Sequence, residues 1–307
     1  MNDTPDISVR LGKLYLENPV ILASGTSGYG EEYAQFIDLN QVGGIVVKGT
    51  SLEPKLGNPP TRIVETAGGM LSSVGLQNVG VERFIREKLP FLKEFDTRVI
   101  VNIFGNSVEE YVEVARRLDG VEGVSALEMN ISCPNVKEGC MLFGTDVGQT
   151  YRVVKLVRGA TVLPLMVKLS PNVADIVGIA RAAAEGGADI LSLINCLSGI
   201  AVDIRTRKPI LGNIIGGLSG PAIKPIALRM VWEVYNARLG LPLVGIGGVT
   251  TVTDAIEFML AGASAIQIGT ANLIDPETSL RIVIGIRDYC EENGIKEISE
   301  LVGALNC

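Results

Sequence analysis

Histidine is absent from all 307 residues, which removes the side chain that most often serves as general base or metal ligand near neutral pH. Proton transfer must then fall to Cys, Asp, Glu, Lys or Tyr. Aromatic residues are scarce, at 5%, so a core built on large rings is excluded. No stretch of eighteen apolar residues runs uninterrupted by a charge or turn residue, so no transmembrane helix is expected. Residues 1–10 carry Asp3 and Asp6 and no apolar signal core, which points to a cytoplasmic protein. The five cysteines, Cys133, Cys140, Cys196, Cys290 and Cys307, are scattered without a C-x-x-C pair. Neither a structural zinc nor a four-cysteine iron–sulfur centre is expected, and no metal is assigned to this chain. A formal charge of −7 disfavours nonspecific attraction to nucleic acid or anionic membrane. It leaves room for a local basic pocket.

What the chain has is a repeating pattern. Eight short apolar runs occur at 20–25, 44–49, 98–105, 126–132, 165–170, 190–195, 243–248 and 265–270. Each is nearly continuous in hydrophobicity, as strands covered on both faces of a parallel sheet are. Helical segments separate most of them. Ser107 and Glu110 form an expected capping box before 111–118; 173–185 stops at Gly186-Gly187, and 253–260 stops before Gly262. The alternation predicts an α/β fold, a (β/α)8 TIM-type barrel in one domain spanning 1–307, with long excursions after strands 2, 4 and 6 at 50–97, 133–164 and 196–242. The first of these, holding Pro54, Pro59, Pro60 and Gly68-Gly69, reads as an extended loop or a small hairpin.

The strand ends carry the chemistry. Ser24, Lys48, Asn102, Asn130, Lys168 and Asn195 close the first six runs. Each alone could cap a loop, but a barrel core has no use for buried amides and ammonium groups, which cost roughly 2–7 kcal/mol when unpaired. Together they describe a polar ligand cradle at the catalytic mouth. The last two runs end in Gly247-Gly248 and Gly269-Thr270, where backbone amides form the usual barrel phosphate site. The segment 216–221 (GGLSGP) offers further amides, although any one glycine cluster also serves a tight turn. Cys133 follows the fourth run between Asn130 and Asn135 and is the candidate for proton transfer. With no histidine to activate it, its thiol is expected near the reference value of about 8.5, giving activity that rises toward alkaline pH unless a cation intervenes. The other four cysteines read as small hydrophobes.

Four motifs, NISCPN at 130–135, KLSPN at 168–172, VGLQN at 74–78 and RTRKPILGNIIGGLSGPAIKPIALRM at 205–230, together resemble the dihydroorotate dehydrogenase family, most closely its NAD-linked class 1B catalytic subunits. The resemblance covers nearly the whole chain. It implies oxidation of dihydroorotate to orotate in pyrimidine biosynthesis, with Cys133 taking the C5 proton and hydride passing from C6 to FMN. The FMN would contact Ala23, Ser24, Lys48, Gly49, Asn102, Asn130, Lys168 and Ile194, with its phosphate on Gly220, Gly247, Gly248, Gly269 and Thr270. Lys48, Ser72, Ser73, Val74, Gly75, Leu76, Asn130, Asn135, Asn195 and Cys196 would face the substrate. The resemblance further implies a partner subunit carrying FAD and a 2Fe–2S cluster that passes electrons to NAD+, and a homodimer of this chain within a heterotetramer. Three positions depart from the pattern: Ser72 stands where asparagine is usual, Cys196 where threonine or serine is usual, and Cys140 where glycine is common. Three other readings stay open: a related FMN dehydrogenase for another pyrimidine, a non-catalytic flavin-binding barrel, and a Lys168 Schiff-base aldolase.

Overall fold

A computed structural model describes residues 4–132 and 143–306; Cys133, Asn135, Cys140 and Cys307 lie outside the described residues. The chain opens with an antiparallel hairpin, β1 (Val9–Leu11) and β2 (Leu14–Leu16). The barrel strands are β3 (Val20–Leu22), β4 (Gly44–Thr50), β7 (Arg98–Ile103), β8 (Ala126–Asn130), β9 (Leu165–Leu169), β10 (Ile190–Leu193), β15 (Leu243–Ile246) and β16 (Ala265–Ile268). They pair in parallel and close into a barrel in chain order, β16 returning to β3. All eight coincide with the apolar runs. Burial on both faces explains why those runs do not alternate, for every residue of β3, β8, β9, β10, β15 and β16 is buried. No described helix is long and apolar enough to cross a membrane.

Helices sheathe the barrel, and several of them start where a side chain satisfies the first amides. Short helices α1 (Val81–Arg83) and α2 (Leu89–Leu92) flank a π-turn. In α3 (Val108–Leu118) the buried residues Val108, Tyr111, Val114, Ala115 and Leu118 form a single inward stripe. Its capping box is only half made: Ser107 Oγ accepts from Glu110 N, but Glu110 Oε2 accepts from Asn106 N at 2.7 Å instead of from Ser107. Asp146 caps α4 (Val147–Arg158), and Asp175 caps α5 (Ile176–Glu185). The latter cap moves the helix start three residues beyond the expected 173. Helices α6 (Lys224–Asn236), α7 (Val252–Leu260), α8 (Thr270–Ile274) and α9 (Thr278–Glu292) complete the ring.

The first and third excursions build one structure. The first forms the hairpin β5 (Ile63–Thr66) and β6 (Gly69–Ser72), as one of its two readings anticipated. The third contributes β11 (Leu197–Ile200), β12 (Val202–Asp203), β13 (Lys208–Pro209) and β14 (Ile215–Ser219). β14 pairs antiparallel with both β11 and β6, giving a four-stranded sheet of order β11-β14-β6-β5 beside the barrel mouth. The pairing corrects one expectation. Gly216 and Gly217 sit in the ladder opposite Gly199, Ser198 and Ser72, so they are strand residues, not spare amides for an anion.

Candidate active site

The mouth of the barrel holds a cavity of about 1410 Å3 between atoms, open entrance included. All six polar strand ends, Ser24, Lys48, Asn102, Asn130, Lys168 and Asn195, line it. Barrel geometry brings them together, because residues at the carboxyl ends of parallel strands converge on one rim. The strand register sets Asn130 beside Lys168, and Lys168 beside Ser192.

A polar network joins these groups. Asn195 Nδ2 donates to Ser132 Oγ at 2.9 Å and to Asn130 Oδ1 at 3.3 Å. Asn130 Nδ2 donates to Asn102 Oδ1 at 3.4 Å, and the Asn130 carbonyl accepts from the buried Tyr111 hydroxyl at 2.6 Å. Below them lies Glu128, which is 0% exposed. Its Oε1 accepts from Asn102 Nδ2 at 2.7 Å and Ser24 Oγ at 3.3 Å; its Oε2 accepts from Gln267 Nε2 at 2.6 Å and Ser192 Oγ at 3.1 Å. The Lys168 ammonium stands 3.6 Å from Glu128 Oε1 and donates to Ser24 Oγ at 3.2 Å.

The reading of strand ends missed this floor. Glu128 is two residues before Asn130 on the same strand, hence on the same inward face. A charged residue inside an otherwise apolar run was the available signal, and Gln267 within β16 was a second.

One wall is shaped for an anion. The amides of Gly248, Val249, Gly269 and Thr270 find no acceptor among the described residues. Gly248 has φ +74, and a Cβ there would stand 2.9 Å from the Gly220 carbonyl oxygen, so any side chain would push the two turns apart. Asp254 braces the Gly247–Thr250 turn from behind, accepting from Thr250 N at 2.9 Å, Thr250 Oγ1 at 2.8 Å and Thr251 N at 2.8 Å. It also accepts from Lys224 Nζ at 2.7 Å. Burial alone would raise its pKa, but the Lys224 ammonium and these donors hold the carboxyl far below the usual range. A depressed folded-state pKa gives stabilisation that is complete above the unfolded value of about 3.9 and is lost as pH falls. Asp254→Asn is therefore expected to lower the melting temperature at neutral pH and to flatten its decline below about pH 4. Hydrogen bonds to a charged group set the size at about 1.5–3 kcal/mol. Thermal denaturation across pH checks both.

A further wall comes from the excursion sheet and the segment after it. Ile63, Met70, Ser72, Val74, Gly75 and Leu76 line the cavity. Ser73 does not: alternation along the chain turns it away, and Asn58 Nδ2 donates to its fully buried hydroxyl at 3.1 Å. Asn78 of the same motif is a brace, with Ser51 and Gly80 donating to its Oδ1. Asn172 of KLSPN likewise clamps the segment after β10 through Cys196 O and Ser198 N. Cys196 lines the cavity, and burial pushes its thiol up against a smaller opposing pull from Lys168.

Lys48 lines the same cavity, and its ammonium has neither hydrogen-bond acceptor nor ion-pair partner among the described residues. Burial pulls its pKa down. The other positions expected to hold a cofactor, Ala23, Gly49, Ile194, Gly220, Gly247, Gly248, Gly269 and Thr270, all line the cavity. Cys133 and Asn135 lie outside the described residues.

Residues 7–289 match the family described as Dihydroorotate dehydrogenase. The chain is 58% identical over 301 residues to the "Dihydroorotate dehydrogenase B (NAD(+)), catalytic subunit" of Geotalea uraniireducens (strain Rf4), covering 98% of each protein. It is 58% identical over 303 residues to the protein of that name in Pelobacter propionicus, covering 99% of each. A crystal structure of DHODH from Eimeria tenella in complex with ferulenol superimposes with a TM-score of 0.82 at 23% identity, covering 98% of this chain and 89% of that one, which speaks for the barrel fold. The matched span takes in the polar strand ends, the anion wall and both excursions, and the chain belongs to the dihydroorotate dehydrogenase family.

Proposed function

We propose that this chain oxidises dihydroorotate to orotate in pyrimidine biosynthesis, as one barrel domain holding FMN at its mouth. The family is flavin-dependent, and the cavity suits such a group on three counts. Four amides without an acceptor among the described residues lie at or beside a turn that excludes side chains, as an anionic phosphate requires. Lys168 stands at the floor, where a cation stabilises negative charge on a reduced flavin ring. Gln267 Oε1 is buried without a hydrogen-bond partner among the described residues at the cavity edge, a polar atom suited to a ligand donor. The bound flavin supplies the acceptor for the hydrogen and electrons leaving C6.

This chain's residues do the rest. Lys48 pairs with the substrate carboxylate. Asn130, Asn135 and Asn195 offer the paired donors and acceptors that a pyrimidine edge needs. Ser72 and Cys196 are smaller or weaker polar neighbours of the substrate. Cys133 removes the C5 proton as general base. Relatives are named as catalytic subunits of an NAD(+) enzyme, which implies a separate partner; the partner carries FAD and a 2Fe–2S cluster and delivers electrons to NAD+. A homodimer of this chain forms the centre of a heterotetramer, and the assembly works in the cytoplasm.

The observation that carries the reading is the convergence of Lys48, Lys168 and the asparagines with an anion cradle in one cavity. A flavin spectrum of the purified chain, recorded without partner, tests it: dihydroorotate is expected to bleach the absorbance, and dihydrouracil and dihydrothymine are not. Bleaching by dihydrouracil but not dihydroorotate would move the assignment to another pyrimidine. A colourless chain that takes up no FMN would sink it.

A further inference from the structure

Glu128 does not line the cavity, and a carboxylate buried to 0% exposure is costly to desolvate. Apolar residues of similar volume often serve a barrel interior as well or better, so a purely structural role leaves the carboxylate unexplained. Its surroundings are specific. Four neutral side chains, Asn102, Ser24, Gln267 and Ser192, meet both of its oxygens, and among the described residues the charged group facing it is the Lys168 ammonium at 3.6 Å. Ser24 Oγ bridges the pair, 3.2 Å from Lys168 Nζ and 3.3 Å from Glu128 Oε1. The ammonium is thereby fixed in direction and has a compensating charge on the side away from the cavity.

We propose that Glu128 is a positioning residue that anchors the Lys168 ammonium at the cavity floor and offsets part of its charge, lowering the reduction potential of the flavin bound above it. The inference rests on the flavin reading of the cavity. A cation beside the ring favours the reduced form, which carries negative charge; a carboxylate behind that cation opposes it, and in a dry interior such charges are weakly screened. Lys168 then gives the flavin enough positive field to accept electrons, and Glu128 keeps the reduced flavin from becoming too stable to pass them on.

The test is the midpoint potential of the flavin-loaded chain, measured by equilibration with a reference dye. Glu128→Gln keeps the length and hydrogen-bonding capacity and removes the charge. It is expected to raise the reduced-to-oxidised ratio at a fixed potential at least tenfold, about 30 mV upward for a two-electron couple. Glu128→Asp keeps the charge and is expected to stay within threefold of the parent. A Gln variant that loads flavin and stays within threefold of the parent overturns the proposal. So does an Asp variant that shifts as far as Gln, because packing rather than charge would then be the cause. Should Glu128→Gln alone not fold, with its ammonium left uncompensated, Lys168→Gln and the double variant Lys168→Gln/Glu128→Gln carry the same comparison. The double variant is expected to show the higher potential, and equality of the two overturns the proposal. A parent chain that retains no flavin removes the reading beneath it, and is told apart by its absorbance alone.

Discussion

Reduction of the bound flavin by dihydroorotate is expected to slow by about 10²–10⁴-fold in Cys133→Ala, the range a positioned general base contributes, with flavin content unchanged. The chain has no histidine to serve as the base. Among the described residues lining the cavity, Lys48, Lys168 and Cys196 could compete as bases. Lys168 is committed to Glu128 and Ser24. Burial pushes the Cys196 thiol up, away from its reactive thiolate form. Lys48 is the serious rival, since burial lowers its pKa. Single-turnover flavin reduction decides between them. A Cys133→Ala chain that keeps its rate would transfer the base role to Lys48.

Lys48→Ala is expected to fail differently. An ammonium that has no protein partner among the described residues, on the wall of a cavity for an anionic substrate, is a binding group first. Removing one side of a desolvated charge pair costs about 2–5 kcal/mol, which is about 30- to 4,000-fold in affinity. Orotate titration followed by flavin absorbance should show that loss, while the flavin reduction rate at saturating dihydroorotate changes much less. A neutral pyrimidine without the carboxylate should bind parent and variant alike. Equal weakening for both ligands would mean that Lys48 supports the flavin or the cavity wall, not the carboxylate.

Much of this molecule is legible in its sequence because parallel barrel strands, covered on both sides, write themselves as continuous apolar runs. Their polar last residues then fall on one rim without any knowledge of packing, and Ser24, Lys48, Asn102, Asn130, Lys168 and Asn195 do so. What stayed hidden depends on information that is not local. Glu128, Ser192 and Gln267 sit inside runs whose neighbours are apolar, and only closure of the barrel brings the three together. Ser73 was grouped with a motif whose neighbours face the cavity, while the alternating backbone gives it to Asn58. Glu110 had the spacing of a capping box, but Asn106 offers its amide to the same carboxylate. The excursion sheet joins residues about 145 positions apart in the chain, as in Gly217 opposite Ser72, and no periodicity within either segment announces that partner.

That sheet also ties the two excursions into a single inheritable unit. Ser72 lines the cavity from β6, Ser219 from β14, and the two strands share one register, with Ser219 opposite Met70. A one-residue slip in either strand would turn its cavity-facing side chains to the other face. A change of length in one insertion is therefore felt by the other, although the barrel strands that carry them lie on different sides of the mouth. Grafting one insertion from a relative, without its mate, would import half a wall. Remodelling the substrate pocket along this edge requires moving both segments together.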